Sequence, residues 1–243
     1  TGGAGKSSLT DELLSRLVRF FPERKVAVVA IDPTRRRSGG ALLGDRIRMN
    51  ALASEQVFMR SLATRRAHLA TSAVLADTIQ LLKWAGFDLI VVETAGIGQS
   101  DTEIVDLVDL SLYVMTSEYG AASQLEKIDM LDFADMIVLN KFEKRGAEDA
   151  LRDVRKQVAR NRKLFGTPPE QLPVYPTIAS QFNDAGVNKL FAAICTRLDE
   201  KWGRIQAWKP EGLEPLGPPK RQAIIPGERV RYLAEIAGNG RRA

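Results

Sequence analysis

The first eight residues, Thr1-Gly2-Gly3-Ala4-Gly5-Lys6-Ser7-Ser8, have the composition of a loop that holds polyphosphate. Glycines let the backbone turn its N–H groups toward phosphate oxygens, Lys6 can reach the β- and γ-phosphates, and Ser7 can place its hydroxyl on Mg²⁺. The run matches the G-K-S end of G-x-x-x-x-G-K-[ST], whose first glycine would fall one residue before Thr1. The expectation is therefore of a longer polypeptide, with a strand feeding the loop. Leu9, Leu13, Leu14, Leu17, Val18 and Phe21 follow at helical spacing. The positive N-terminal end of that helix would add to phosphate binding.

Two further groups extend this chemistry. Glu93-Thr94-Ala95-Gly96 closes an apolar β-prone run. An acid there can hold Mg²⁺ directly or through water, and the Gly96 N–H can meet a γ-phosphate. Asn140-Lys141-Phe142-Glu143 follows another such run and resembles the N-K-x-D box that reads guanine, with Glu in place of Asp. In that pattern Asn bonds the base, Lys lies along it, and the carboxylate accepts from the ring N–H and exocyclic amine. Adenine would leave the carboxylate unpaired, which disfavours it. Thr177-Ile178-Ala179-Ser180 is a small-residue loop of the kind that lies against a base. The glycine-containing segment from Asp32 to Met49 carries carboxylates that could face a metal.

These residues need a scaffold that brings distant loops together. Strands are expected over Lys25–Ile31, Asp88–Glu93, Leu110–Thr116, Met136–Leu139 and Val174–Ile178. Helices are expected over Lys6–Phe21, Ser72–Ala85, Ser123–Leu131, Ala147–Phe165 and Val187–Trp202. The alternation predicts an α/β fold of the P-loop NTPase type, a mostly parallel central sheet with helices on both faces. Ligands in such folds sit at the carboxyl ends of the strands, where the motifs fall. Residues 1–203 read as the nucleotide domain. Residues 204–243 read as a Pro-rich, basic linker or strap with a short amphipathic segment, Glu228–Ile236.

Composition narrows the classes. The chain has 243 residues, 44% of them apolar, and a net charge of +5. Residues 204–243 hold eight Lys/Arg and four Asp/Glu, so +4 of that charge lies in the tail. No aromatic-rich basic platform accompanies it, and nucleic-acid binding is not expected. No run of about 18 apolar residues suggests a membrane span. The single cysteine, Cys195, lies in the apolar stripe Val187, Leu190, Phe191, Ile194, Leu198 and reads as a core thiol suited to the cytoplasm. With His68 the only histidine, a soft-metal cluster within the chain is not expected.

Asp32–Met49 together with Glu93–Asp101 (E-T-A-G-I-G-Q-S-D) closely resembles the G3E P-loop GTPases. Within them it resembles the GTPases that chaperone adenosylcobalamin-dependent acyl-CoA mutases of the isobutyryl-CoA mutase type. The resemblance covers about residues 1–203 and continues weakly through Ile224–Leu233. It implies that Gly3, Ala4, Gly5, Lys6, Ser7 and Ser8 cradle phosphates, and that Ser7, Asp32, Asp45, Glu93 and Thr94 surround Mg²⁺. It further implies that Arg48 touches the nucleotide and that Asn140, Lys141 and Glu143 read guanine, with Ser180 in the loop beside the base. Switch segments would span about residues 34–50, 96–102 and 119–128, the last including Gln124, Glu126 and Lys127.

The reaction so implied is GTP hydrolysis to GDP and phosphate. No residue is a compelling water-positioning glutamine, Gln99 being the candidate, and Lys127 is a candidate for transition-state charge. Turnover is therefore expected to be slow alone and stimulated by a partner mutase, acting in trans or fused. Cobalamin would enter only through that partner or a further domain, and a homodimer is expected. The rivals are a G3E GTPase serving another metallocentre, such as nickel insertion, and a P-loop kinase or ATPase.

Overall fold

A computed structural model describes residues 3–33, 49–64, 68–94, 102–119, 125–126 and 128–220. Its helices are α1 (Lys6–Phe20), α2 (His68–Trp84), α3 (Met130–Phe133), α4 (Ala147–Asn161) and α5 (Ala185–Lys201). Its strands are β1 (Val26–Pro33), β2 (Val57–Thr64), β3 (Leu89–Glu93), β4 (Leu112–Met115), β5 (Met136–Leu139) and β6 (Val174–Pro176). All strand pairings are parallel, in two three-stranded groups of order β2-β1-β3 and β4-β5-β6. The α/β class expected from the alternation is what the chain forms.

β1 lies between two neighbours, and Val26–Val29 are fully buried, as expected for an unbroken apolar run in a parallel sheet. β5 is buried at all four positions for the same reason. β2 falls where the sequence reading assigns no element. Val57 and Met59 point into the core, whereas Phe58 and Arg60 are exposed, so this edge strand alternates rather than running continuously apolar. α1 ends where Phe21 precedes Pro22, a position that disfavours continued helix. The helix expected over Ser123–Leu131 differs. Its described part is helical at Leu125, turns at Glu126 and is helical again from Met130, as α3, and residues 123, 124 and 127 lie outside the described set. α3 stops after one turn because Ala134 turns extended and leads into β5.

The facing edges of the two groups, β3 and β4, are not hydrogen-bonded to each other. Between them lies a cavity of about 330 Å³, lined by Leu89, Val91, Leu112 and Val114, with Leu13 of α1 and Ile194 of α5. β3 is only half-buried along its length despite its Leu-Ile-Val-Val sequence. The gap runs to Lys6 and Glu93, beside the phosphate loop.

Residues 204–220 form a strap against α5 and α1. Trp208 is 1% exposed, its ring edge-on to Phe21 at 5.1 Å and covered by the Arg24 guanidinium at 5.2 Å. Leu213 joins the same core cluster, with Leu14, Leu17, Phe191 and Leu198.

Candidate functional site

Parallel strands place their carboxyl ends along one edge of the sheet, and the N-terminus of α1 meets that edge. Gly5 caps α1 in the left-handed region, φ 82° and ψ 32°, with no side-chain cap. The first N–H groups of the helix are therefore not taken up by a capping side chain, as an anion site requires. Gly5 is demanded twice. A Cβ there would face the φ penalty and would also lie 2.6 Å from Asn140 Nδ2.

At one end of this edge, the Ser7 hydroxyl donates to Glu93 Oε1 at 2.7 Å, joining residues 86 apart in sequence. Thr94 follows Glu93 at the end of β3 and is half-buried. Lys6 opens α1 and lines the mouth of the gap beside Glu93. Ser7 and Glu93 offer hard oxygen atoms close together at a helix N-terminus. That donor set fits Mg²⁺, which takes few protein oxygens and completes its shell with water and phosphate.

The other end is organised by Asn140, which is 2% exposed. Its Nδ2 donates to the Ala4 carbonyl at 2.8 Å. Its Oδ1 accepts from Thr177 Oγ1 and from the Ala179 N–H, both at 3.1 Å. One side chain thus clamps the phosphate loop to the loop after β6, the Ala4 carbonyl taking one of its two Nδ2 protons. Lys141 has φ 57°, unusual for a residue with a Cβ, and its Cε lies 3.8 Å from where a Gly5 Cβ would be. Its stem therefore runs beside the phosphate loop. Glu143 and Ser180 are exposed on the two loops that Asn140 ties together.

The structure thus brings Gly3, Ala4, Gly5, Lys6, Ser7, Ser8, Glu93, Thr94, Asn140, Lys141, Glu143 and Ser180 to one edge. Asp32 is placed at the end of β1 by its backbone. Its side chain, and Asp45, Arg48, Gln99, Gln124 and Lys127, lie outside what is described.

Several supporting residues carry no motif signal. Asp184 caps α5, its Oδ2 accepting from the Val187 N–H at 2.9 Å and the Ile178 N–H at 3.1 Å. Burial pushes its carboxyl above the ordinary value of 3.8, against those two backbone hydrogen bonds. An Asp just before an apolar helical stripe was a readable cap signal. Asp11 on α1 accepts from the Ala51 N–H at 3.0 Å and Asn50 Nδ2 at 3.2 Å, so it holds the chain where it returns from the 34–48 segment. Lys144 pairs with Glu118 at 2.6 Å and, through that hydrogen bond, holds the Glu118 carboxyl below its usual range. Nothing local marks either contact in the sequence.

A glycine loop capping a helix, an acid at a nearby strand end and a buried Asn that ties the loop to the chain after β6 define a P-loop α/β domain. The family described as Methylmalonyl Co-A mutase-associated GTPase MeaB matches residues 1–209, and the chain belongs to it. It is 53% identical over 237 residues to a fused isobutyryl-CoA mutase of Geobacillus kaustophilus, covering 98% of this chain and 22% of that protein. The fused isobutyryl-CoA mutase of Paraburkholderia xenovorans is 57% identical over 247 residues, covering 98% of this chain and 19% of that protein. The chain therefore spans about a fifth of the length of these relatives. Among solved structures, HypB from Helicobacter pylori in complex with nickel shares the fold at TM-score 0.56 and 16% identity, over 84% of each chain. A LAO/AO transport system kinase does so at TM-score 0.56 and 22% identity, over 98% of this chain and 65% of the other.

Proposed function

We propose that this chain is the GTP-hydrolysing switch of an adenosylcobalamin-dependent acyl-CoA mutase of the isobutyryl-CoA type, gating cobalamin loading or unloading. The observation that carries the nucleotide part is the Asn140 clamp, which makes the phosphate loop and the N-K-F-E box two ends of one site. The mutase part rests on the relatives, fused isobutyryl-CoA mutases matched over 98% of this chain.

In this reading the amides of Gly3–Ser8 and the Lys6 ammonium stabilise charge on the transferring γ-phosphoryl group. Ser7 and Glu93, with Thr94, Asp32 and Asp45, would hold Mg²⁺, which would offset the negative charge of the phosphates. Asn140 offers its remaining amide proton to the base, Lys141 packs along it, and Glu143 accepts from the guanine N–H groups, with Ser180 beside them. Arg48 contacts the nucleotide, Gln99 orients water and Lys127 supplies transition-state charge in the complex with a partner. Without the partner, turnover is slow. Nucleotide state then reaches the mutase through the switch segments.

The test is GTP turnover with Mg²⁺, alone and with an adenosylcobalamin-dependent acyl-CoA mutase, alongside cobalamin transfer to that mutase. Stimulated turnover and nucleotide-dependent transfer are expected. Absence of both with every such mutase tried sinks the chaperone role.

A further inference from the structure

The base-side loop is not held by the nucleotide domain alone. Asn188, fully buried on α5, is a junction of three elements. Its Oδ1 accepts from Arg16 Nε at 2.7 Å, on the helix that begins at the phosphate loop. Its Nδ2 donates to Asn183 Oδ1 at 2.9 Å, in the loop after β6, and to the Pro215 carbonyl at 3.1 Å, in the strap. Asn183 in turn donates to the Glu214 carbonyl at 3.3 Å, and Gln181 Nε2 donates to the Lys220 carbonyl at 2.8 Å. Three side chains of the base loop and α5 thus hold strap carbonyls, and Ala179 in that loop is held by Asn140. Arg16 is only 6% exposed and is also bound to Glu12, so the junction is rigid on its α1 side. The strap is anchored at its other end by Trp208, whose backbone N–H donates to the Asp199 carboxylate.

We propose that residues 210–220 are a working part of the base site: the strap braces the Thr177–Asn183 loop, so that occupancy of the base end and seating of the strap are coupled. Asn183 and Asn188 are the positioning residues for that coupling. Linkage makes it reciprocal: whatever displaces the strap from Gln181 and Asn183 weakens nucleotide binding by the factor by which the nucleotide holds the strap down. Base occupancy is then coupled through the loop and the strap to the chain at Lys220, by a route separate from the switch segments. The proposal rests on the reading of this edge as a guanine nucleotide site.

The test is amide hydrogen exchange on the full chain with Mg²⁺ alone, with pyrophosphate, with GMP and with GDP. Asn183 has φ 50°, so Asn183→Gly keeps the backbone while removing both side-chain bonds. Gln181→Ala removes the bond from the loop to the Lys220 carbonyl. GDP and GMP are expected to slow exchange about tenfold in residues 177–183 and 210–220 together, and pyrophosphate only near the phosphate loop. In the Asn183→Gly, Gln181→Ala double variant, protection of 210–220 on adding GDP should vanish and the GDP Kd should rise about three- to tenfold. GDP that protects 177–183 and leaves 210–220 unchanged overturns the coupling. GDP that protects nothing overturns the nucleotide reading and the coupling with it. Asn188→Asp keeps the acceptor for Arg16 and removes the two donations; if it folds and retains full strap protection, Asn188 is not the junction.

Discussion

Gly5→Ala gives the sharpest perturbation of the phosphate loop. At φ 82° an alanine pays about 1–2 kcal/mol for the left-handed backbone. Its methyl would also lie 2.6 Å from Asn140 Nδ2, nearer than real Cβ contacts come. Asn140 must then move and loosen its bond to the Ala4 carbonyl, a net loss of about 0.5–1.5 kcal/mol. The expected total is about 2–3 kcal/mol, read as a lower urea midpoint at unchanged slope. Because part of that cost is a collision, it should not add to the cost of removing the collider. In an Asn140→Ala background, where the amide is absent, the same Gly5→Ala change should cost only the backbone term. The double-mutant cycle is then non-additive by about 1 kcal/mol. Strict additivity would mean that the two loops are not in contact, and the clamp reasoning would fail.

Three other outcomes follow from the same contacts. Ser7→Ala and Glu93→Gln should each raise the Mg²⁺ concentration needed for GTP turnover at least tenfold while leaving Mg²⁺-free GDP affinity within about threefold; titration of Mg²⁺ against turnover checks this, and equal losses with and without Mg²⁺ would contradict it. Burial pushes the Cys195 thiol from an ordinary 9.0 to about 12. A raised folded value favours the native state below the unfolded value and loses that contribution as pH climbs from about 9 to 12, at up to roughly 1.4 kcal/mol per unit. Cys195→Ala should flatten the stability curve in that window, and an unchanged alkaline slope would show the thiol is not its source. Finally, an apolar β-prone peptide added to the protein should enter the gap between β3 and β4 and raise the melting temperature, at about 2–4 °C per kcal/mol for a domain of this size. An unchanged melting temperature and unprotected Leu89–Val92 amides would show that the gap does not accept a strand.

Residues that act through local pattern were legible. β1 and β5 stand out because their burial on both faces requires unbroken apolar runs. The phosphate loop and N-K-F-E box stand out because backbone approach and base recognition restrict residue type at fixed spacing. β2 was hidden because an edge strand needs only one buried face, and Val57-Phe58-Met59-Arg60 puts an aromatic on the outer one. The role of Asn140 was half legible. Its type and place pointed to the base, but its clamp on Ala4 spans 136 residues and exists only once the strands are aligned. Asn188, Arg16 and Asp11 were illegible for the same reason, each being an ordinary helix residue until the fold supplies its partner. The strap shows the reverse error of emphasis. Its prolines mark an extended path, yet Trp208 and Leu213 seat it in the core.

The central claim, a guanine-specific, Mg²⁺-dependent triphosphatase, is tested most directly by phosphate release from GTP and ATP at equal concentration, with and without Mg²⁺. The account predicts release from GTP that requires Mg²⁺ and is not inhibited by excess ATP. Equal hydrolysis of ATP, or GTP hydrolysis indifferent to Mg²⁺, would contradict it.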